Sequence, residues 1–339
     1  MRTRCAARGR HDGVSLVELM LAMLIGLLLV FGMVAVQQQV SRVHRTVATV
    51  GRLQDAARLA LAVIEADVRM ANHWGLHNQA AYVVNRAMPG AALPPGFTAS
   101  QGDRIGLCGG PGSNWAINLD EYLGGSNGGY TLACAASGAA SGIADTLIVR
   151  RAADSGPASL DPDRIFLQSN RLQGSLFVPQ TGCLNPANGS CIPPGYAPAT
   201  SVSRALVVHA YYVSPNSTQR AGLPALRRKS FGNVNAASPA GAISDEEIVS
   251  GVEDMQVRFG VDTDGDSSLD HYVDPGAVPS GARVVAATVW LRVRSEDRDV
   301  GHVDDTAYQY ADMASAWTPG DAYRRIVVSK TVHLRNTRS

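Results

Sequence analysis

The chain has 339 residues, a formal net charge of +1, 17% charged residues and 45% hydrophobic ones. That length holds a sizeable core and one or two domains. The near-neutral balance argues against a nucleic-acid binder, which needs a strong basic footprint.

The chain opens basic. Arg2, Arg4, Arg8 and Arg10 against Asp12 give residues 1–13 a net +3 and leave the remainder slightly acidic, at −2. Val14 to Val36 then run apolar, with Glu18 the only charge. A membrane-spanning helix needs roughly 20 predominantly apolar residues, so a span is predicted over 14–36. The arginines before it place the N-terminus in the cytoplasm and the bulk of the chain outside. The run is too long for the core of a secretory signal peptide, and no small-residue cleavage site follows it. It continues without proline into residues 37–74, where Leu53, Ala57, Ala60, Leu61, Ile64 and Val68 recur at helical steps. One helix is predicted, ~80 Å long at 1.5 Å per residue, membrane-buried in its first half and amphipathic in its second. Gly75 is its stop signal.

Glu18 is costly there: a carboxylate in hydrocarbon carries about 2.5–3.5 kcal/mol even on translocon scales. Snorkelling to the interface is one resolution. A positive partner at membrane depth is the other. The span holds no Lys or Arg, but cleavage after Gly13 creates an α-amino group, which a neighbouring chain can present.

Beyond the helix, His73 and His77 sit four apart around Gly75, a spacing that a metal pair shares and that is read here as structural. Residues 85–145 are rich in Gly, Ala, Ser and Pro and read as loops. Of the five cysteines, Cys5 lies in the leader, and Cys108, Cys134, Cys183 and Cys191 form an even set. Outside the cytoplasm four cysteines read as two disulfides, with three connectivities allowed. Local closure, Cys108 with Cys134 and Cys183 with Cys191, is favoured. No C-x-x-C pair supports zinc.

Alternating strands follow in "DTLIVRRA", "ALVVHAYYVS", "MQVRFGV", "VVAATVWLRVRS" and "RRIVVSKTVHLRN". They predict an antiparallel sheet with one apolar face, covered by the amphipathic half of the helix. The fold class is α+β: a long N-terminal helix, a variable region over 75–247 and a C-terminal β-rich region over 248–339. The pairs Glu246–Glu247 and Glu253–Asp254, and the run Arg227, Arg228, Lys229, are expected on solvated strand faces.

Between two strands, Asp262, Asp264, Asp266 and Asp270 crowd into nine residues. Their spacing resembles a D-x-D-x-D calcium loop, since calcium takes 6–8 oxygens from such turns. Ser267 stands at the usual glycine and Val273 at the twelfth position, which excludes an EF-hand. An exposed Asp-Gly hairpin turn is the alternative. With no H-E-x-x-H and no reactive cysteine left after the leader, the chain is read as a non-enzyme.

"GVSLVE" followed by an unbroken apolar helix resembles the type IV prepilin signal, shared by pilins and type II secretion pseudopilins. The resemblance implies that a prepilin peptidase cleaves between Gly13 and Val14, that Val14 is methylated, and that Glu18 pairs with the terminal amine of an adjacent subunit during assembly. Val14 departs from the commoner Phe or Met. "DVRMANHWG", "VEDMQVRFGVDTDGD", "VVAATVWLRVRS" and the terminal "VHLRN" resemble the PilW family of minor pilins. That family implies a low-abundance pilin, resident in the inner membrane and then in the extracellular pilus. Its implied partners are other minor pilins, the major pilin and an adhesin-like tip protein, and its implied roles are priming assembly, twitching motility and adhesion. No nucleic-acid partner and no obligatory cofactor are implied. A type II secretion minor pseudopilin, and an anchored calcium-binding adhesive module, are the alternatives.

Overall fold

The computed structural model describes residues 13, 15–88, 92–110 and 112–337. Its first element is the helix α1, Leu16–Met70, 55 residues without interruption. The chain divides into two compact units, the first ending at Gly51 and the second beginning at Arg52.

The first unit is the apolar part of α1. Every large apolar side chain from Leu16 to Val36 that belongs to it is 47–76% exposed, with none buried. Among the described residues, α1 is the one helix long and apolar enough to cross a membrane.

In the second unit α1 behaves as a core element. Leu53, Ala57, Ala60, Ile64 and Val68 are buried and share one continuous core with strand residues such as Leu147, Val149, Val289 and Leu291. Leu61 packs against it from the margin. Burying an Ile, Leu or Val side chain contributes about 1.5–3 kcal/mol each, so the stripe fixes this half of the helix. The helix ends at Met70, earlier than Gly75. Asn72 takes a left-handed conformation, φ +60°, as Asn or Gly does past many helix C-termini. Its side chain donates to Asn336 O and accepts from Trp74 Nε1, tying the helix exit to the residues that follow the last strand.

Twelve strands are described: β1 Val83–Val84, β2 Leu123–Ser126, β3 Thr146–Ala152, β4 Phe166–Ser169, β5 Gly174–Phe177, β6 Val202–Ser214, β7 Ala225–Phe231, β8 Ile243–Ser250, β9 Val252–Asp262, β10 His271–Val273, β11 Arg283–Arg294 and β12 Arg325–His333. They form two sheets where the sequence suggested one. The larger has the order β1-β5-β4-β6-β3-β2, with β7 on β6 and β8 on β7; the smaller has the order β10-β9-β11-β12. Pairing is antiparallel throughout, except for the short β1–β5 pair. The region read as variable therefore supplies most of the larger sheet. Among the described residues of 85–145 the loop reading holds apart from a seven-residue helix, α2 Ala99–Ile105, a 3-10 turn at Trp115–Ile117, and β2. Thr98 opens α2 with a reciprocal capping box to Gln101.

The inward faces match the alternation. Met255, Val257, Phe259 and Val261 are buried, as are Val285, Ala287, Val289, Leu291 and Val293. The opposite face of the small sheet is also covered: Asp254, Gln256, Thr288 and Arg292 are buried too.

Candidate functional site

Two regions of α1 carry candidate sites, one expected from the sequence and one not. At its start, Gly13 is described and exposed, while Val14, the expected methylation position, lies outside the described residues. Glu18 is exposed in the first helical turn, where the positive end of the helix dipole favours a carboxylate. Among the described residues it has no ion-pair partner. The apolar side chains around it have no cover among the described residues.

The other region was not foreseen. Asp67 lies on the buried face of α1, 4% exposed. Arg151 of β3 donates to Asp67 Oδ1 through Nε at 3.1 Å and Nη2 at 2.9 Å. On Oδ2 it meets His209 Nδ1 and the Tyr211 hydroxyl, both from β6. Burial opposes ionisation of Asp67, but the His209 and Tyr211 hydrogen bonds and the Arg151 charge outweigh it. They hold the carboxyl well below its ordinary range. Lys330 of β12 reaches Glu65, two residues before Asp67, at 2.5 Å. The second half of α1 is thus seated by both sheets. A polar residue among Ile64 and Val68 interrupts the apolar stripe, and that interruption was the signal available in the sequence.

The structure overturns the expectation of solvated strand faces for several charges. Arg227 and Lys229 are buried, and both pair with Asp245 across the β7–β8 register. Arg228 and Glu246 stay outside, paired at the surface. Glu253 and Asp254 face inward, onto the segment joining β11 to β12. Arg325, 1% exposed in its side chain, grips Glu253 through Nε at 2.8 Å and Nη2 at 3.1 Å, and Asp321 through both terminal nitrogens. Arg292 shares Glu253 and stacks 4.1 Å from the Trp317 ring centroid. Buried guanidinium groups of this kind persist only when each is matched by carboxylates and hydrogen bonds. The cause of the misreading is the 295–324 segment, which covers a face that alternation alone marks as open.

Asp145 joins the two sheets. Its N–H donates to Met255 O, and its carboxylate accepts from Gly128 N and Val257 N. Burial pushes its carboxyl up to about 7 against those two N–H groups, with the nearby Asp312 and Asp254 charges adding to the rise.

The acidic turn is partly assembled. Carboxylate oxygens of Asp262, Asp264 and Asp270 lie within 4.8 Å of one another, whereas Asp266 is not part of that group. Ser267 has φ +69°, a left-handed conformation at the position where calcium loops carry glycine. The same carboxylates already serve the turn. Asp262 accepts from Gly265 N and Ser267 N, and Asp270 accepts from the Thr263 N–H and hydroxyl. The Thr263 bonds hold the Asp270 carboxyl below its usual range.

The disulfides are Cys108–Cys134 and Cys183–Cys191, the local closure that the spacing favoured. His73 and His77 are half-buried, and burial holds both below their ordinary range; His77 Nδ1 accepts from Gln79 N. Gly124 to Gly128 spell G-x-S-x-G, but Ser126 sits in β2 and its hydroxyl donates to Gly129 O. A nucleophile elbow needs an exposed serine on a strand-to-helix turn, so the letters carry no catalytic meaning here.

Residues 210–336 match the family model of PilW, the Type IV Pilus-assembly protein W. The PilW match runs from within β6 through β12 and so includes Tyr211 of the helix seat, the Arg292–Arg325 cluster and the acidic turn. No curated protein and no solved structure matches the chain.

Proposed function

We propose that the chain is a minor pilin of the type IV pilus, held in the inner membrane by the first half of α1 and then incorporated into the filament at or near its tip. The PilW match over 210–336 carries this reading, supported by an N-terminal helix whose apolar side chains have no cover of their own. In this reading the prepilin peptidase cleaves after Gly13, Val14 is methylated, and Glu18 pairs with the terminal amine of a neighbouring subunit. Bulk apolar surface then partitions into lipid or into the packed helices of other minor pilins and the major pilin. The chain supplies no catalytic chemistry. It primes assembly together with an adhesin-like tip protein, and motility and adhesion follow from the pilus so formed.

Deleting the gene is expected to remove surface pili and twitching, with restoration by the wild-type chain. Normal piliation accompanied by a defect in protein secretion would instead assign it to a type II pseudopilus, which shares the anchor but not the PilW match. A calcium ion at Asp262, Asp264 and Asp270 is a further proposal, supported by the convergence of three carboxylates beside a left-handed Ser267.

A further inference from the structure

A cavity of about 520 Å³ opens beside Gly109, Gly112 and Ser113, walled by Trp115, Asn118, Glu121 and Arg150. Its lining lies outside the PilW match, in residues 87–150. Its size falls within the range of small-ligand sites.

Arg150 projects from β3 and is 1% exposed in its side chain. Its Nε donates to Trp115 O at 2.9 Å, and its Nη1 donates to Glu121 O and, at 3.3 Å, to Glu121 Oε2. Nη2 donates to no described residue. Its one counter-charge among the described residues, Glu121, is nearly half exposed, 46% in its side chain, and Asn118 also draws on that carboxylate. Water therefore screens the anion while the cation stays buried, and burial weakens the protonated guanidinium.

Trp115 lines the same cavity and is 7% exposed. Its indole N–H is buried without an acceptor among the described residues, and the Arg150 guanidinium lies 5.6 Å from the ring centroid. Native structures rarely leave a buried donor unpaired without a reason. Here the buried indole N–H and the charged Nη2 border one cavity, and neither has an acceptor among the described residues. Water would satisfy the N–H but not the charge. An anion satisfies both. Glu121 beside the site disfavours a dianion such as phosphate, and a planar guanidinium matches a planar carboxylate.

We propose that this cavity is a carboxylate-binding site, in which the ligand accepts from Arg150 Nη2 and the Trp115 indole N–H. The carboxylate belongs either to a free small acid or to the end of a peptide segment.

The test uses the full chain in detergent micelles, following indole N–H resonances by ¹H–¹⁵N NMR. The chain has four tryptophans, and loss of one signal in Trp115→Phe assigns the resonance. Propionate is expected to shift the Trp115 signal saturably, whereas sodium chloride at equal ionic strength is not. Glu121→Gln removes the competing anion and is expected to tighten binding about threefold. Trp115→Phe keeps the ring, removes the orphan donor and is expected to weaken binding about tenfold by calorimetry, without lowering the melting temperature. A peptide with a free C-terminal carboxylate, set against its amidated twin, separates the sources. Tighter binding than propionate places the carboxylate on a chain segment, and weaker binding places it on a free acid; both support the site. No saturable shift with propionate or the peptide, or an equal shift with chloride, overturns the proposal. So does weaker binding in Glu121→Gln, a variant that keeps the surface hydrogen bonds should Trp115→Phe fail to fold.

Discussion

The two halves of α1 are the same helix placed in different surroundings. From Leu16 to Val36 it is apolar all round and exposed all round; from Leu53 to Val68 it carries one buried stripe with Asp67 inside it. A helix that is apolar on every face belongs in lipid or among other helices, whereas a one-faced helix belongs on a sheet. The contrast separates a half that has no cover among the described residues from a half built into the core. Each half also carries one carboxylate. Glu18 has no described partner, and Asp67 has three. The second is satisfied within this chain; under the proposed function the first is satisfied by a neighbouring one.

That contrast predicts opposite consequences for the two acids. Glu18→Ala is expected to leave the melting of the folded domain unchanged and to reduce incorporation into pili more than tenfold, read by immunoblot of sheared filaments. Wild-type incorporation would remove the pairing role. Asp67→Ala strands Arg151 and His209 around an empty position, and breaking a buried pair costs ~3–5 kcal/mol. Chemical denaturation of the full chain should register that loss, and a change below 1 kcal/mol would mean that the seat is ornamental. Ile64→Ala is expected to cost about 2–4 kcal/mol through the cavity it leaves, while Leu24→Ala should leave the same transition unmoved. Equal effects would erase the distinction between the halves.

A smaller effect is expected from pH. Asp145 titrates at about 7 when folded, against an ordinary value of 3.8. The folded state therefore keeps a proton that the unfolded chain has lost, and stability falls as pH rises from about 4 to 7, by on the order of 1–3 kcal/mol. Asp145→Asn should flatten that slope; an unchanged slope would assign it to other groups. Asp67, held low, acts in the opposite sense and only in acid, its contribution being lost as pH falls below the ordinary carboxylate range. The smallest effect is that of calcium: at millimolar concentration it should raise the melting temperature by a few degrees relative to chelator, and Asp262→Asn should abolish the difference. An unchanged midpoint would leave the acidic turn as a hydrogen-bonded hairpin.

The elements were more legible in the sequence than their surroundings. The stripe from Leu53 to Val68 and the alternation in β9 and β11 are periodic, and period alone fixes which residues turn inward. The second sheet was hidden because β4, β5 and β2 are four residues long, too short for alternation to stand out from loop composition. The buried charges were hidden for a different reason. Whether Asp254 or Lys229 meets water depends on a distant segment folding over it, as 295–324 does for Asp254, and no local pattern records that. Asp67 is the intermediate case: its position on the apolar stripe was visible, but its partners on β3 and β6 are 84 and 142–144 residues away. Of the acidic turn, the sequence marked four aspartates, and the fold brings three together.

The most direct measurement is mass spectrometry of purified, sheared pili, searching for this chain and its N-terminal peptide. A low-abundance chain that begins at N-methylated Val14 is the predicted result, since it joins cleavage after Gly13 to residence in the filament. A chain still carrying residues 1–13, or one confined to the inner membrane, would contradict the account.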